Sequence, residues 1–228
     1  MTEPLVLAGC PVRNRAWILP AYLAALEALD YPPERLCFAF IINDSVDQTE
    51  SILTEFATRR PTRLVRRDLG HPRWERGYYS CKNLALLRNL LLEEALAAGA
   101  DYLFSVDSDI LVPPHSLRRL LRAGKPVVGA RVGNDPGAAP GGRCNFLRFD
   151  PGRKRMVHLT RFPPDALIPV DVVGAAALIH RPVIEAGCRY EPAFTGEDEG
   201  FCAQVAARGF TLWGDTGLQT IHRMDPVG

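Results

Sequence analysis

The sequence predicts an α/β fold in which a mostly parallel β-sheet is flanked by helices. Short apolar runs alternate with longer segments of helical periodicity through residues 4–132. Several of the short runs are almost continuously apolar, which is typical of strands that are buried on both faces. The second half of the chain is denser in glycine and proline, which predicts an irregular part on the same sheet.

The first elements follow in strand–helix order. "PLVLAGC" at 4–10 predicts a strand, and apolar residues recur at helical spacing from Ala16 until paired prolines end that helix. "LCFAFIIND" at 36–44 predicts a second buried strand. Asp47 and Glu50 stand three residues apart, which predicts a capping box at the start of the next helix.

The pattern continues with a third strand at 62–68 and then with the strongest helix of the chain, at 80–99, which a glycine ends. "DYLFSVDSD" at 101–109 predicts a strand that carries acids at its end. A proline begins the predicted helix at 113–124, and a strand follows at 125–132. Alternation of this kind favours parallel strands joined by helices.

The second half contains a glycine- and proline-rich stretch, of which 133–155 is a candidate lid because so long a loop is usually functional. A strand and a short helix are predicted within 167–187, a helix with acids at its start over 195–209, and a last strand at 210–215. We expect one domain, 1–228, with a nucleotide-binding-like half at 1–112 and an irregular half at 113–228 on the same sheet.

Composition excludes some classes of function. Of 228 residues, 47% are hydrophobic and 23% charged, and the net charge of +1 provides no basic field for non-specific nucleic-acid binding. No stretch approaches the roughly 20 apolar residues of a membrane helix, so no integral membrane segment is expected. The six cysteines form no CxxC pair, which favours buried thiols in a reducing, cytoplasmic compartment.

Asp107 and Asp109 raise the question of function because they place two like charges at the mouth of a buried strand. Side chains alternate along a strand, so these carboxylates would point the same way and Ser108 the opposite way. Such oxygen ligands suit Mg²⁺ or Mn²⁺, commonly together with substrate phosphates. A surface turn is the alternative, since aspartate is frequent in turns.

Four segments in order resemble the GT-A glycosyltransferases, in particular family 2-like members. The segments are "LVLAGCPVRNRAWILPAYLAAL", "FAFIINDSVDQTESIL", "KNLALLRNLLLEEALAAGADYLFSVDSDILVPP", and "VDVVGAAALIHRPVIEAG" followed by "FTGEDEGFCAQVAARGF". The resemblance implies a GT-A fold and a metal-dependent hexosyltransferase. It would move a sugar from a UDP or GDP donor to an acceptor hydroxyl, using an Asp-x-Asp motif.

The resemblance also implies site residues. Asp109 would bind the metal, His222 would complete its ligands, and Asp107 would share the metal or bind the ribose, with Mn²⁺ or Mg²⁺ as the ion. The residues implied for the nucleotide sugar are Pro11, Val12, Arg13, Asn14, Asp44, Lys82, Asp107 and Ser108. Gly174 is expected to allow close approach of sugar or acceptor, because glycine within a strand often marks such a place.

The acids at the start of the last helix complete the candidate set. Acids in a first helical turn are stabilised by the helix dipole, which is the structural explanation. The resemblance implies instead that one of them deprotonates the acceptor. Asp198 is the favoured base, Glu197 and Glu199 are contenders, and inversion of the sugar is the expected outcome.

Other functions remain open at this stage. A nucleotidyltransferase, a phosphate-transferring or hydrolytic metal enzyme, and a non-catalytic nucleotide-sugar-binding module could each use such a fold. The basic stretch around Trp74, from Arg66 to Arg76, is either a solvated surface or part of a diphosphate or acceptor site. The acceptor is left as a saccharide, small molecule or peptide, and a homodimer is one option for assembly.

Overall fold

A single large sheet lies at the centre of the structure, a computed structural model that describes residues 3–70, 80–133 and 143–224. Its strands are β1 (Val6–Val12), β2 (Leu36–Ile42), β3 (Thr62–Arg66), β4 (Tyr102–Val106), β6 (Val127–Arg131), β9 (Leu167–Pro169), β10 (Ala176–His180) and β11 (Leu212–Gln219). Their order across the sheet is β3-β2-β1-β4-β10-β6-β11-β9. Only β9 and β10 run against the other described strands of this sheet. The predicted mostly parallel α/β fold is confirmed.

Two small ribbons and six helices accompany the sheet in the described residues. One ribbon pairs β5 (Ile110–Leu111) with β12 (Ile221–His222), and the other pairs β7 (Leu147–Asp150) with β8 (Arg155–His158). The helices are α1 (Leu19–Glu27), α2 (Thr49–Ala57), α3 (Cys81–Ala97), α4 (Ser116–Arg122), α5 (Arg181–Glu185) and α6 (Glu197–Ala207), with a 3₁₀ turn at Pro33–Arg35.

Apolar side chains fill both faces of the sheet. In β2, Phe38 and Phe40 pack with α1 and α2, whereas Ala39 and Ile41 pack on the opposite face with α3. All four side chains are fully buried. Burial on both faces is the reason that the strand sequences are almost continuously apolar instead of alternating.

The predicted capping box of helix α2 is wrong. The carboxylate of Asp47 accepts a hydrogen bond from the backbone N–H of Thr49, two residues on, and another from Ala16, in the loop after β1. Glu50 pairs instead with Arg66 of β3. Asp47 thus joins the loops that follow β1 and β2, a long-range role that a local sequence pattern does not reveal.

The second half is also more ordered than its composition predicts. Strand β7 and the start of β8 lie within the stretch expected to be a loop, and residues 134–142 of the candidate lid lie outside the described residues. The last strand does not end at residue 215, because β11 continues to Gln219 and the chain then enters β12. This extension carries His222 back to the strand end that holds the acids.

The six cysteines are free thiols. Within the described ranges, every helix is too short or too polar to cross a membrane. Residues 73–76 of the basic stretch, including Trp74, lie outside the described ranges.

We expect Gly9→Ala to destabilise the fold, because a Cβ at Gly9 would overlap the carbonyl oxygen of Ala39 in the neighbouring strand. Overpacking of a core costs about 1–3 kcal/mol, and backbone cannot move aside as a side chain can. Chemical denaturation measures the loss. Gly152→Ala is the control, since its Cβ would approach only the flexible side chain of Asp150, and we expect a change within about 0.5 kcal/mol. Equal stability of the two variants would contradict the prediction.

Candidate active site

A cavity of about 420 Å³ opens at the carboxyl ends of the parallel strands. The loops that follow β1, β2 and β4 reach it, and the segment before β10 enters it from the opposite direction because β10 is antiparallel. Helices α3 and α6 each present their first turns to it. In open α/β sheets this edge is the usual place for a ligand, and the volume lies within the range of small-molecule sites.

The acid triplet forms a turn, which corrects the expectation of a continuous strand. Strand β4 ends at Val106, and the N–H of Ile110 donates to the carbonyl of Asp107 at 2.9 Å. The N–H of Asp107 donates to the carbonyl of Ala175, before β10. Strict alternation therefore does not apply, and Asp107, Ser108 and Asp109 all line the cavity.

Arg88 of helix α3 is buried beneath this turn, with only 3% of its surface exposed. Its guanidinium donates to Glu197 at 2.9 Å, to Asp107 at 2.7 Å and to Ser105 at 3.4 Å. Burial alone would lower the pKa of Arg88, but Asp107 and the nearby Asp198 raise it well above its usual value. A permanent positive charge therefore lies between the end of β4 and the start of α6.

Asp198 follows Glu197 in the first turn of α6 and also lines the cavity. Its carboxylate lies against Gly174, where any Cβ would overlap it. Gly174 thus makes room for Asp198, whereas the sequence predicts approach of sugar or acceptor there. Burial raises the pKa of Asp198 to about 7; Arg88 opposes this shift, while Glu197 and Asp107 add to it. Such a carboxyl can exchange a proton near neutral pH.

The backbone at this place is held in an unusual conformation. Ala175 has φ 61°, a left-handed value that is uncommon for a residue with a side chain. Asn145 supports the segment, because its amide donates to the carbonyls of Gly174 and Ala130 and its oxygen accepts from the N–H of Val132. All of these bonds are between 2.8 and 3.0 Å long. The buried amide of Asn145 therefore connects the backbone beside Asp198 to the end of β6.

Asp109 faces two other groups across the cavity. Arg15 donates to one of its oxygens at 3.3 Å, and Nε2 of His222 lies 3.8 Å from the other. Burial and the nearby charge of Asp107 raise the pKa of Asp109, while Arg15 and His222 oppose the shift. The β5–β12 pairing produces this arrangement, because it places His222 opposite Ile110, next to Asp109.

These two side chains fit a divalent cation. Nδ1 of His222 lies 3.1 Å from the carbonyl oxygen of Gly133, and Nε2 is the ring nitrogen that faces Asp109. Metal-binding histidines typically donate the N–H of one ring nitrogen to such a carbonyl and bind the metal with the other nitrogen. Within the described ranges, no three histidine, cysteine, aspartate or glutamate side chains converge as metal ligands. Asp107, the third predicted ligand, is paired with Arg88.

The structure brings only some of the predicted nucleotide residues together. Pro11, Val12 and Arg13 line the cavity, and so does the buried Asn43. Asn14, with φ 49°, instead links the loops after β1 and β2, since its side chain accepts from the N–H of Val46.

Asp44 and Lys82 are likewise absent from the described lining of the cavity. The carboxylate of Asp44 closes the loop after β3 by accepting from the N–H groups of Leu69 and Gly70. Lys82 is exposed on α3, where Asn83 and Leu84 face the cavity instead.

Sequence reasoning missed residues of this site, among them Arg15, Asn43, Arg88 and Asn145. Arg88 had a signal that could have identified it: a charged residue among the leucines of the long helix α3, followed by Asn89 in an Arg-Asn pair. Arg15 lies beside residues 11–14, which were singled out, but nothing local sets it apart from other arginines. Asn145 carries no local signal, because its partners are distant backbone groups.

The fold is that of the GT-A glycosyltransferases, and solved structures share it. TarS 1-349 of S. aureus, in complex with UDP-GlcNAc, superposes with a TM-score of 0.67 at 13% identity, covering 98% of this chain and 59% of that one. The mannosyltransferase PcManGT of Pyrobaculum calidifontis, in complex with GDP-Man and Mn²⁺, gives 0.64 at 17% identity, covering 100% and 59%. The predicted GT-A fold is confirmed.

The chain belongs to glycosyltransferase family 25, since the model of that family's N-terminal domain matches residues 3–136, more than half of the chain. Procollagen galactosyltransferase 1-A of Xenopus laevis is 31% identical over 140 residues, covering 56% of this chain and 23% of that protein. Inactive glycosyltransferase 25 family member 3 of Homo sapiens is 34% identical over 137 residues, covering 55% and 23%. The chain thus matches about a quarter of the length of these relatives.

We expect Asn145→Ala to lower the free energy of unfolding by about 2–4 kcal/mol, because it leaves two buried carbonyls and one buried N–H without their partner. Equilibrium denaturation in urea measures this loss. Gln219→Ala is a matched control, since that amide side chain bonds Arg131 at the surface, and we expect a change within about 0.5 kcal/mol. A loss no larger than that of the control would show that Asn145 does not hold the floor of the cavity.

Proposed function

We propose that this protein is a metal-dependent glycosyltransferase that moves a hexosyl group from a UDP or GDP sugar to an acceptor hydroxyl. The observation that carries the proposal is that one cavity contains both a candidate base and candidate metal ligands. Asp198, a carboxyl whose pKa is raised to about 7, shares the cavity with a carboxylate and an imidazole that face each other and fit a cation. Family membership and the names of the relatives support the same class of reaction.

The donor would bind at the side of Asp109 and His222. Carboxylates line this part of the cavity, so an anionic diphosphate needs a cation between itself and them. A divalent ion held by Asp109 and His222 would offset the negative charge that develops on the leaving nucleoside diphosphate. Pro11 and Val12 at the end of β1 and Asn43 directly after β2 line this cavity, which supports contact between them and the nucleoside.

The acceptor would bind at the side of α6. Its hydroxyl would donate a proton to the carboxylate of Asp198 while its oxygen bonds to the anomeric carbon and the bond to the diphosphate breaks. Glu197 is paired with buried Arg88, and Glu199 accepts from the N–H and hydroxyl of Thr195, so both contenders are engaged. This arrangement favours Asp198 as the base. Direct attack opposite the leaving group would invert the sugar.

A non-catalytic nucleotide-sugar-binding module is the second candidate. It is favoured by the names of some relatives, which are called inactive members of family 25. Release of nucleoside diphosphate from the sugar nucleotide distinguishes the two. The enzyme releases it in the presence of Mn²⁺, whereas the module binds the same compound and leaves it intact.

The first prediction of this proposal concerns the metal. Calorimetric titration with UDP and with GDP should show that one nucleotide binds in the presence of Mn²⁺ and binds much more weakly without it. In Asp109→Ala we expect the Mn²⁺-dependent affinity for this nucleotide to fall at least about tenfold. That is the low end of the loss that follows when only the hydrogen-bond partner of a metal ligand is mutated.

Asp30→Ala is the control for this titration, because Asp30 is a surface acid that pairs with Arg118. It should bind the nucleotide like the wild type. Equal affinity in Asp109→Ala and the wild type would remove Asp109 from the donor site, and absence of binding of either nucleotide would reject the proposed function.

The second prediction concerns pH. The base must be deprotonated, and the pKa of Asp198 is raised to about 7, mainly by burial. We therefore expect kcat/KM for transfer or for donor hydrolysis to be highest above pH 7 and to fall about tenfold per pH unit below it. Asp198→Asn should lower kcat by about 10²–10⁴-fold and leave Mn²⁺-dependent nucleotide binding intact.

Glu185→Gln is the control for the pH profile, since Glu185 is an exposed acid of helix α5 that pairs with Arg181. Its profile should match the wild type. A wild-type profile that is flat from pH 5 to pH 8, together with activity in Asp198→Asn, would exclude Asp198 as the base.

A further inference from the structure

We propose that Arg88 is a positioning residue of the transfer reaction: it holds Glu197 and Asp107 in place and so leaves Asp198 alone to receive the proton of the acceptor. This inference rests on the proposed function. It assigns a role to a buried side chain whose charge cannot be removed by titration.

The guanidinium joins three elements of the fold. Arg88 lies in the middle of α3, Asp107 begins the turn after β4, and Glu197 begins α6. A separate nitrogen serves each carboxylate, Nε for Glu197 at 2.9 Å and Nη2 for Asp107 at 2.7 Å, while Nη1 reaches Ser105. The planar guanidinium fixes the directions of these bonds, which a lysine ammonium would not do. The distance between the acid turn and the first turn of α6 is therefore set by one side chain.

The segment before α6 is held to α3 at a second place. Asn89 donates to the carbonyl of Tyr190 at 2.9 Å and accepts from its N–H at 2.8 Å. The ring of Tyr190 lies 5.6 Å from the carbon of the Arg88 guanidinium and stacks on Phe201 of α6 at 4.4 Å. Consecutive residues of α3 thus bind both ends of the stretch that leads into the base-carrying helix.

Asp198 is the carboxylate beside Arg88 that takes part in none of these hydrogen bonds. Within the described part of the chain it accepts no hydrogen bond, whereas Oε1 of Glu197 beside it accepts from Arg88. Gly174 on one side and the first turn of α6 on the other confine it to the cavity. Pinning Glu197 therefore both fixes the first turn of α6 and prevents Glu197 from competing for the proton.

The test compares Arg88→Met and Arg88→Lys with Arg63→Met. Arg63 also pairs with an acid of α3, Glu94, but at the surface and away from the cavity, so Arg63→Met is the matched control. We expect Arg88→Met to keep Mn²⁺-dependent binding of the nucleotide and to lose about 100-fold in kcat, the effect of displacing a reacting group by about 1 Å. Arg88→Lys should recover part of kcat, and Arg63→Met should match the wild type. Wild-type kcat in Arg88→Met would overturn the inference.

A second variant covers the case in which Arg88→Met does not fold because Glu197 is left buried and unpaired. Arg88→Met combined with Glu197→Gln removes both buried charges, and Asp107 keeps access to water since 31% of its side chain is exposed. We expect this double variant to fold and to remain low in kcat, because the first turn of α6 has lost its anchor. Recovery of wild-type kcat would show that Arg88 only neutralises Glu197, which overturns the positioning role.

Hydrogen exchange separates failure of this inference from failure of the proposed function. If the wild type binds no nucleotide or releases no product, the proposed function fails, whatever Arg88 does. The anchor itself is then judged by the backbone amides of residues 197–201. Faster exchange there in Arg88→Met than in Arg63→Met supports the positioning role, and equal exchange in the two variants overturns it.

Discussion

The buried guanidinium of Arg88 is the constraint on which the arrangement of the site depends. A charge that cannot be neutralised is costly inside a protein unless carboxylates compensate it, and removing one such partner is strongly destabilising. Asp107 and Glu197 supply the compensation, so the end of β4 and the start of α6 must both lie beside α3. The contacts that compensate the charge of Arg88 therefore also determine which carboxylates of the cavity are hydrogen-bonded to it, namely Asp107 and Glu197.

The second half of the chain contributes about half of the described residues that line the cavity, and the place of Asp198 among them depends on unusual backbone. Ala175 is left-handed, and the Gly174 before it leaves space that only the absence of a side chain provides. Conformations of this kind cost free energy and persist only where surrounding contacts determine them, as the amide of Asn145 does here. Strain at this point gives Asp198 a confined position, which is what a proton acceptor requires.

The sequence predicted the fold well because the fold depends on periodic burial. Runs such as residues 36–44 are apolar on both faces, and that pattern specifies a sandwiched strand without reference to distant residues. The position of the acid turn could also be predicted, because it follows directly from the end of such a strand. The contacts of Asp47 could not be predicted, since its carboxylate accepts from the distant N–H of Ala16. Likewise, Arg88 could be seen as an anomaly within a helix, but its partners are separated from it by up to 109 residues.

The two halves of the chain are chemically incomplete without each other. The match to the family model ends at residue 136, so it includes Arg88, Asp107 and Asp109 but not Glu197, Asp198 or His222. Without α6, the buried Arg88 would lose one of its two carboxylates; without β12, Asp109 would lose its imidazole neighbour. Charge compensation thus joins the half that would bind the donor to the half that would bind the acceptor. The same contacts bring the proposed base and the proposed metal ligands into one cavity.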